Sequence, residues 1–220
     1  MELERAMTGN REALAAFLLD IRSKGITEHR LLSAFEAIPR RNFVPVIHLS
    51  EAYAPGQMPV ECGQTMTSIE MVARVLSVLD VQPGNRVLEL GTGTGYQTAL
   101  ISTLAEKVLS VERFRTLREK AETRLSQLGI GNTIVKLMDG SVASSELGIH
   151  DRIISNCSFE ELPRDFLDNL SAGGVMIAPI GPADGKQKMC RFTKVGLRFQ
   201  FEELFTARMQ PFIAGVSKAI

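Results

Sequence analysis

The chain has 220 residues, 45% of them hydrophobic and 23% charged, and its 25 Lys plus Arg are balanced by 25 Asp plus Glu. That size and composition fit one soluble globular unit and exclude disordered and fibrous classes; without a net positive field, no nucleic acid is expected as a partner. Apolar runs such as Ala13 to Leu19 and Val175 to Ile180 fall far short of the roughly 20 residues that cross a bilayer, so no membrane partner is expected.

The N-terminus opens with Glu2, Glu4 and Arg5 instead of a basic stretch and an apolar run, so no signal peptide is visible and a cytoplasmic location is expected. From Asn10 to Ser23, Leu14, Phe17, Leu18 and Ile21 recur at helical spacing, which predicts an amphipathic helix ended by Gly25. Thr27 is placed to cap a second helix, whose stripe is Leu31, Leu32, Ala34, Phe35 and Ile38 before Pro39. Residues 44–67 carry Pro45, Pro55, Gly56, Pro59 and Gly63, punctuation that favours an irregular segment. Cys62, the first of three cysteines, is far from Cys157 and Cys190, and such scattered thiols point to neither a disulfide framework nor a metal site. Ser68 can then cap a helix running through Met71, Val72, Val75, Leu76 and Leu79.

Beyond Pro83 and Gly84 the pattern becomes strand, loop, helix, repeated. Strands are predicted over Arg86 to Leu90, Val108 to Val111, Thr133 to Leu137, Arg152 to Ser155 and Val175 to Pro179, with helices from Gln97 to Ala105 and Leu117 to Leu128. Such alternation implies a parallel sheet. Gly173 and Gly174 read as a turn before the Val175 strand, and Met189 to Thr193 with Leu197 to Phe205 read as a closing antiparallel pair. The expected fold class is therefore α/β, a doubly wound Rossmann-like sheet, mostly parallel with an antiparallel C-terminal edge, plus N-terminal helices. Within it, 1–83 supply helices and a loop at the active site, 84–182 the nucleotide-binding core, and 183–220 strands that complete the same domain.

The chemistry-bearing signal is Val87-Leu88-Glu89-Leu90-Gly91-Thr92-Gly93-Thr94-Gly95-Tyr96 at a strand-to-helix turn. Gly91, Gly93 and Gly95 let a ligand approach the backbone, and the helix start that follows offers free N–H groups. A dinucleotide fingerprint needs its third glycine where Tyr96 stands, so a nicotinamide cofactor is disfavoured. Glu112 lies 21 positions after Gly91, where a carboxylate can accept from ribose hydroxyls, and Asp139-Gly140 ends the next strand, where one can accept from an adenine amino group. Each acid also has a plainer reading: Glu89 as a helix-dipole partner, Glu112 as a surface charge beside Arg113, Asp139 as a turn former.

The G-x-G-x-G loop preceded by Glu89 resembles the cofactor loop of Rossmann-like methyltransferases. The likeness narrows along the chain. Ile26-Thr27, Ala37 to Pro45, Ala52-Tyr53, Gly63-Gln64-Thr65, Met71-Val72-Ala73, Gly91 to Ala99, Val111-Glu112-Arg113, Asp139-Gly140, Gly173-Gly174, Pro179-Ile180-Gly181 and the tail around Pro211 resemble the protein-L-isoaspartate O-methyltransferase family in the same order. That resemblance implies an S-adenosyl-L-methionine-dependent enzyme, releasing S-adenosyl-L-homocysteine, that methylates the free α-carboxylate of L-isoaspartyl residues in damaged proteins. It implies cofactor contacts from Glu89, Gly91, Thr92, Gly93, Gly95, Tyr96, Gln97, Glu112, Arg113, Asp139 and Gly140, and from Gln64, Thr65 and Met66 lying over the cofactor. Thr67 falls at the family's serine, where its hydroxyl serves the acceptor.

Three stretches depart from the family pattern. Ser68-Ile69-Glu70 follow Thr67 where a small or amide residue, a proline and an aromatic or histidine are usual. Met58-Pro59-Val60-Glu61 replaces Leu-Pro-Ile-Gly. Asn156-Cys157-Ser158-Phe159 replaces a Thr-Ala-Ala-Pro-like wall and loosely resembles the Asn-Pro-Pro-aromatic signature of amino-group methyltransferases. A Glu70 facing the cleft would repel an acceptor carboxylate. Two other readings therefore stand beside carboxyl methylation: transfer to another acceptor, and a module that binds the cofactor without turnover.

Overall fold

Along the parallel strands, side chains of one face alternate with those of the other. Val87, Val108, Ile154 and Ile177 pack with the N-terminal helices, whereas Leu88, Leu90, Val111, Ile153 and Met176 pack on the opposite side. The alternation follows from the period of two in a strand, and apolar residues on both faces are what a sheet covered on both sides requires. The computed structural model describes residues 2–138 and 144–217.

The chain begins with α1 (Glu2–Ser23) and α2 (His29–Ala37). Helix α2 starts after Glu28, not from a Thr27 cap, and the Glu28 carboxylate is turned to Ser77, whose hydroxyl donates to it at 2.8 Å. Short 3-10 turns then lead to a small antiparallel arm, β1 (Met58–Pro59) with β2 (Thr65–Met66), in register Met58 with Met66 and Pro59 with Thr65. Helix α3 (Ile69–Leu79) is capped as expected, the Ser68 hydroxyl accepting from the Met71 N–H at 3.3 Å. Ile69, Val72, Ala73, Leu76 and Leu79 form its buried stripe.

The core runs β3 (Arg86–Leu90), α4 (Tyr96–Leu104), β4 (Lys107–Glu112), α5 (Arg115–Gln127), β5 (Thr133–Leu137), α6 (Ser144–Leu147), β6 (His150–Ser155), β7 (Cys157–Ser158), α7 (Arg164–Leu167) and β8 (Leu170–Ile180). It ends in β9 (Gln187–Val195), β10 (Arg198–Ala207) and β11 (Gln210–Pro211). The main sheet has the order β10-β9-β8-β6-β3-β4-β5, parallel from β8 to β5 and antiparallel at β9 and β10. The expected doubly wound sheet with an antiparallel edge is what forms.

A further difference from the sequence reading lies in β8. Gly173 and Gly174 lie inside β8, within an irregularity between the pairs His150 with Leu170 and Arg152 with Val175. Gly173 takes φ +73°, and a Cβ on Gly174 would come within 2.8 Å of the Ser171 carbonyl oxygen, so the bulged path suits glycine at both places. Among the described residues no helix is long and apolar enough to cross a membrane.

Candidate active site

Strands β3 and β6 are neighbours, yet the chain leaves β3 toward β4 and leaves β6 toward β8. Such a switch in strand order opens a crevice at the carboxyl ends of an open α/β sheet. A cleft lies there, lined by the loop after β3, the end of β4, the β2 arm, the start of β7 and the segment around β11.

Gly91, Gly93 and Gly95 all have left-handed φ, at +88°, +55° and +87°. A Cβ on Gly91 would sit 3.3 Å from Cys157 Sγ, and one on Gly95 would sit 3.1 Å from Ala121 Cβ. Beside Gly93 nothing lies within 4 Å, so here the backbone faces open space that a ligand can enter. Thr92, Tyr96 and Gln97 line the cleft with Gly91 and Gly93, whereas Gly95 stands behind it as the N-cap position of α4.

Glu112 closes the second side. Its Oε2 accepts from the Gly93 N–H at 2.8 Å, and its Oε1 accepts from the N–H groups of Arg113 at 2.8 Å and Phe114 at 3.0 Å. Burial pushes its carboxyl above the ordinary range while these three backbone donors pull the other way. Arg113 lines the cleft too, but its Nε donates to the Gly215 carbonyl at 3.0 Å, which fastens the C-terminal segment bearing Phe212 and Ile213 across the opening. Val111, Phe114, Leu117 and Met138 supply apolar wall. Asp139 and Gly140, the next expected contacts, lie outside the described residues.

Glu89 is not in the cleft. It is 0% exposed beneath α4, where Oε2 accepts from Thr98 Oγ1 at 2.5 Å and Ser110 Oγ at 2.8 Å, and Oε1 from Gln97 Nε2 at 3.1 Å and Asn156 Nδ2 at 3.2 Å. Since Ser110 gives its proton to Glu89, Thr92 is the donor in the 2.5 Å contact between their hydroxyls. Burial pushes the Glu89 carboxyl up to about 7 against the pull of the four donors. Its place is that of an anchor under the glycine loop. Asn156 belongs to the same network: Nδ2 also donates to the Gly91 carbonyl at 2.9 Å, and Oδ1 accepts from Gln97 Nε2 at 2.9 Å.

Gln64, Thr65, Met66 and Thr67 line the cleft from the β2 arm. The Thr67 carbonyl accepts from Arg40 Nη2 at 2.7 Å, and Arg40, absent from the residues expected at the site, lines the cleft as well. The two added carboxylates point elsewhere. Glu70 accepts from Lys24 Nζ at 3.0 Å at the surface, and Glu61 pairs with Lys120 Nζ at 2.5 Å, which holds its carboxyl below the ordinary range. Neither lines the cleft.

The sequence profile of the family described as Protein-L-isoaspartate(D-aspartate) O-methyltransferase (PCMT) matches residues 12–214. The chain is 40% identical over 204 residues to a protein-L-isoaspartate O-methyltransferase of Bradyrhizobium sp. (strain ORS 278), covering 93% of this chain and 95% of the relative. It is 36% identical to that of Parvibaculum lavamentivorans, with 99% of each chain covered. Among solved structures it is similar to a protein-L-isoaspartate O-methyltransferase at TM-score 0.80 and 25% identity, covering 92% of this chain and 67% of the other. A Plasmodium falciparum protein described by the same activity, in complex with S-adenosyl-L-homocysteine, shares the fold at TM-score 0.79 and 22% identity, with 90% and 97% covered. Because the match runs almost from end to end and takes in the glycine loop, the arm over it and the tail across it, this chain belongs to the protein-L-isoaspartate(D-aspartate) O-methyltransferase family.

Proposed function

We propose that this chain transfers a methyl group from S-adenosyl-L-methionine to the free α-carboxylate of L-isoaspartyl residues in damaged proteins. The observation that carries the reading is that Thr67 and its arm line the same cleft as the glycine loop and Glu112. An acceptor beside Thr67 and a donor on the loop would thereby share one cleft.

The residues present fit the cofactor. Open space beside Gly93 admits a ligand to the backbone, Glu112 offers a carboxylate to ribose hydroxyls, and Val111, Phe114, Leu117 and Met138 make an apolar bed for a purine ring. Gly91, Thr92, Tyr96 and Gln97 would meet the methionine part, with Gln64, Thr65 and Met66 over it; Gly95, Glu89 and Arg113 would serve by holding the loop and tail in place. Asp139 and Gly140 are proposed for the adenine edge from their place after β5. When bound, the cofactor supplies an electrophilic methyl carbon on a sulfonium.

The chain's own contribution is alignment. An isoaspartyl α-carboxylate is already ionised near neutral pH, with a reference pKa near about 4, so no strong base has to remove a proton. Holding the nucleophilic oxygen in line with the methyl carbon then carries the rate. The Thr67 hydroxyl and the backbone of the β2 arm, which line the cleft, would orient that oxygen. Phe212 and Ile213, fastened by Arg113, narrow the opening to water. Labelling with a methyl-tritiated cofactor tests the reaction class: an isoaspartyl carboxyl ester releases its label as methanol in mild alkali, whereas an alkali-stable product would mean a different acceptor atom.

A further inference from the structure

Arg40 is the largest of the fully buried side chains, 1% exposed. Its Nη2 donates to the Thr67 carbonyl, and its guanidinium carbon lies 4.9 Å from the centre of the Tyr96 ring. Nε and Nη1 make no well-aligned hydrogen bond, and the buried Tyr96 hydroxyl, although it lies beside the guanidinium, makes none either. Among the described residues no carboxylate pairs with Arg40. An arginine does not shed its charge, and burying a charge without a counter-ion is strongly unfavourable. One carbonyl and one aromatic face offset only part of that.

Among the described residues lining the cleft Glu112 is the one acid, and its oxygens are occupied by the N–H groups of Gly93, Arg113 and Phe114. The cleft therefore has a buried cation and a buried anion that do not neutralise each other. The anion suits hydroxyl donors; the cation awaits an anion.

We propose that Arg40 is the counter-charge for the acceptor carboxylate: a positioning residue that fixes the Thr67 segment through one N–H and presents unneutralised positive charge to the acceptor oxygens. The inference rests on the proposed acceptor. A carboxylate could come from the acceptor or from the methionine part of the cofactor; the grip of Arg40 on Thr67 favours the acceptor. A guanidinium supplies the carbonyl bond and the spare donors together, which a lysine ammonium at the same depth does less well.

The test uses the full chain saturated with S-adenosyl-L-homocysteine and two peptides, one isoaspartyl and one its α-carboxamide isostere, with affinities read by calorimetry. The wild-type protein should prefer the acid by about tenfold or more, and the ratio should hold within about twofold from 50 to 500 mM salt, because a buried charge is poorly screened. In R40Q the ratio should fall below about threefold while affinity for S-adenosyl-L-homocysteine stays within about twofold, and R40K should restore part of the preference. A preserved ratio in R40Q would overturn the proposal; so would a preserved ratio with lost cofactor affinity, which would assign the charge to the cofactor. If R40Q does not fold, the wild-type salt series still decides, since a preference that collapses in high salt belongs to exposed charges. Wild-type protein that, given S-adenosyl-L-methionine in place of S-adenosyl-L-homocysteine, fails to methylate the isoaspartyl peptide removes the acceptor reading and Arg40's role with it. Methylation of the isoaspartyl peptide without a salt-resistant acid preference removes only the role of Arg40.

Discussion

The Glu112 carboxylate accepts the Gly93 N–H at 2.8 Å, joining the end of β4 to the middle glycine of the loop after β3. One acid thus shapes the loop and faces the cleft that the loop borders. Glu112→Ala should weaken S-adenosyl-L-homocysteine binding by about 1 to 3 kcal/mol, through the loss of a charged acceptor and of the loop's anchor. Calorimetric affinity equal to the wild type would contradict the site.

Glu89 gives a prediction with a pH signature. Its folded-state carboxyl is raised to about 7 from an ordinary 4.5, so the native state holds a proton that the unfolded chain releases. The sign follows: this stability is present in full below pH 4.5 and is lost as pH rises through 7. Across that window it amounts to about 3 kcal/mol. Denaturant unfolding of wild type and E89Q at matched pH values should show wild type losing ground to the variant between pH 4.5 and 7 and running parallel above. A constant difference from pH 5 to 8 would mean that Glu89 is ionised throughout.

The carboxylates that distinguish this chain from the family pattern should matter little to turnover. Glu70 sits with Lys24 and Glu61 with Lys120, each pair open to solvent that screens the contact. E70Q and E61Q should keep kcat/KM for an isoaspartyl peptide within about threefold of wild type. A tenfold gain in E70Q would show that its charge opposes the acceptor.

Gly95 tests the loop backbone. It takes φ +87° and would place a Cβ 3.1 Å from that of Ala121. Gly95→Ala should lower stability by about 1 to 3 kcal/mol, read as an earlier thermal midpoint. An unchanged midpoint would mean that α5 yields without cost.

Most of the fold was legible because each strand and helix declares its period locally. Val87 to Leu90 and Ile153-Ile154 alternate between two covered faces, and the stripe of α3 repeats at three and four residues. The loop glycines and Glu112 were legible because their spacing reflects a geometry internal to one βαβ unit. Glu89 was misplaced, although alternation could have corrected it: with Leu88 and Leu90 on one face, Glu89 must lie on the other, under α4. What stayed hidden depends on distant partners. Nothing local says that Arg40 enters the core while adjacent Arg41 stays partly exposed, since the Thr67 carbonyl that holds it comes 27 residues later. Likewise the direction of Glu70 is set by Lys24, and the closing tail by the bond from Arg113 to Gly215. The likeness of Asn156 to an amino-group signature dissolves for the same reason, because its amide is held by Glu89, Gly91 and Gln97.

The most direct measurement compares initial rates of methyl transfer to two peptides of one sequence, one with an L-isoaspartyl and one with an L-aspartyl linkage. The account predicts alkali-labile incorporation into the isoaspartyl peptide and none above background into its aspartyl twin. Equal labelling of both, or label that survives alkali, would contradict it.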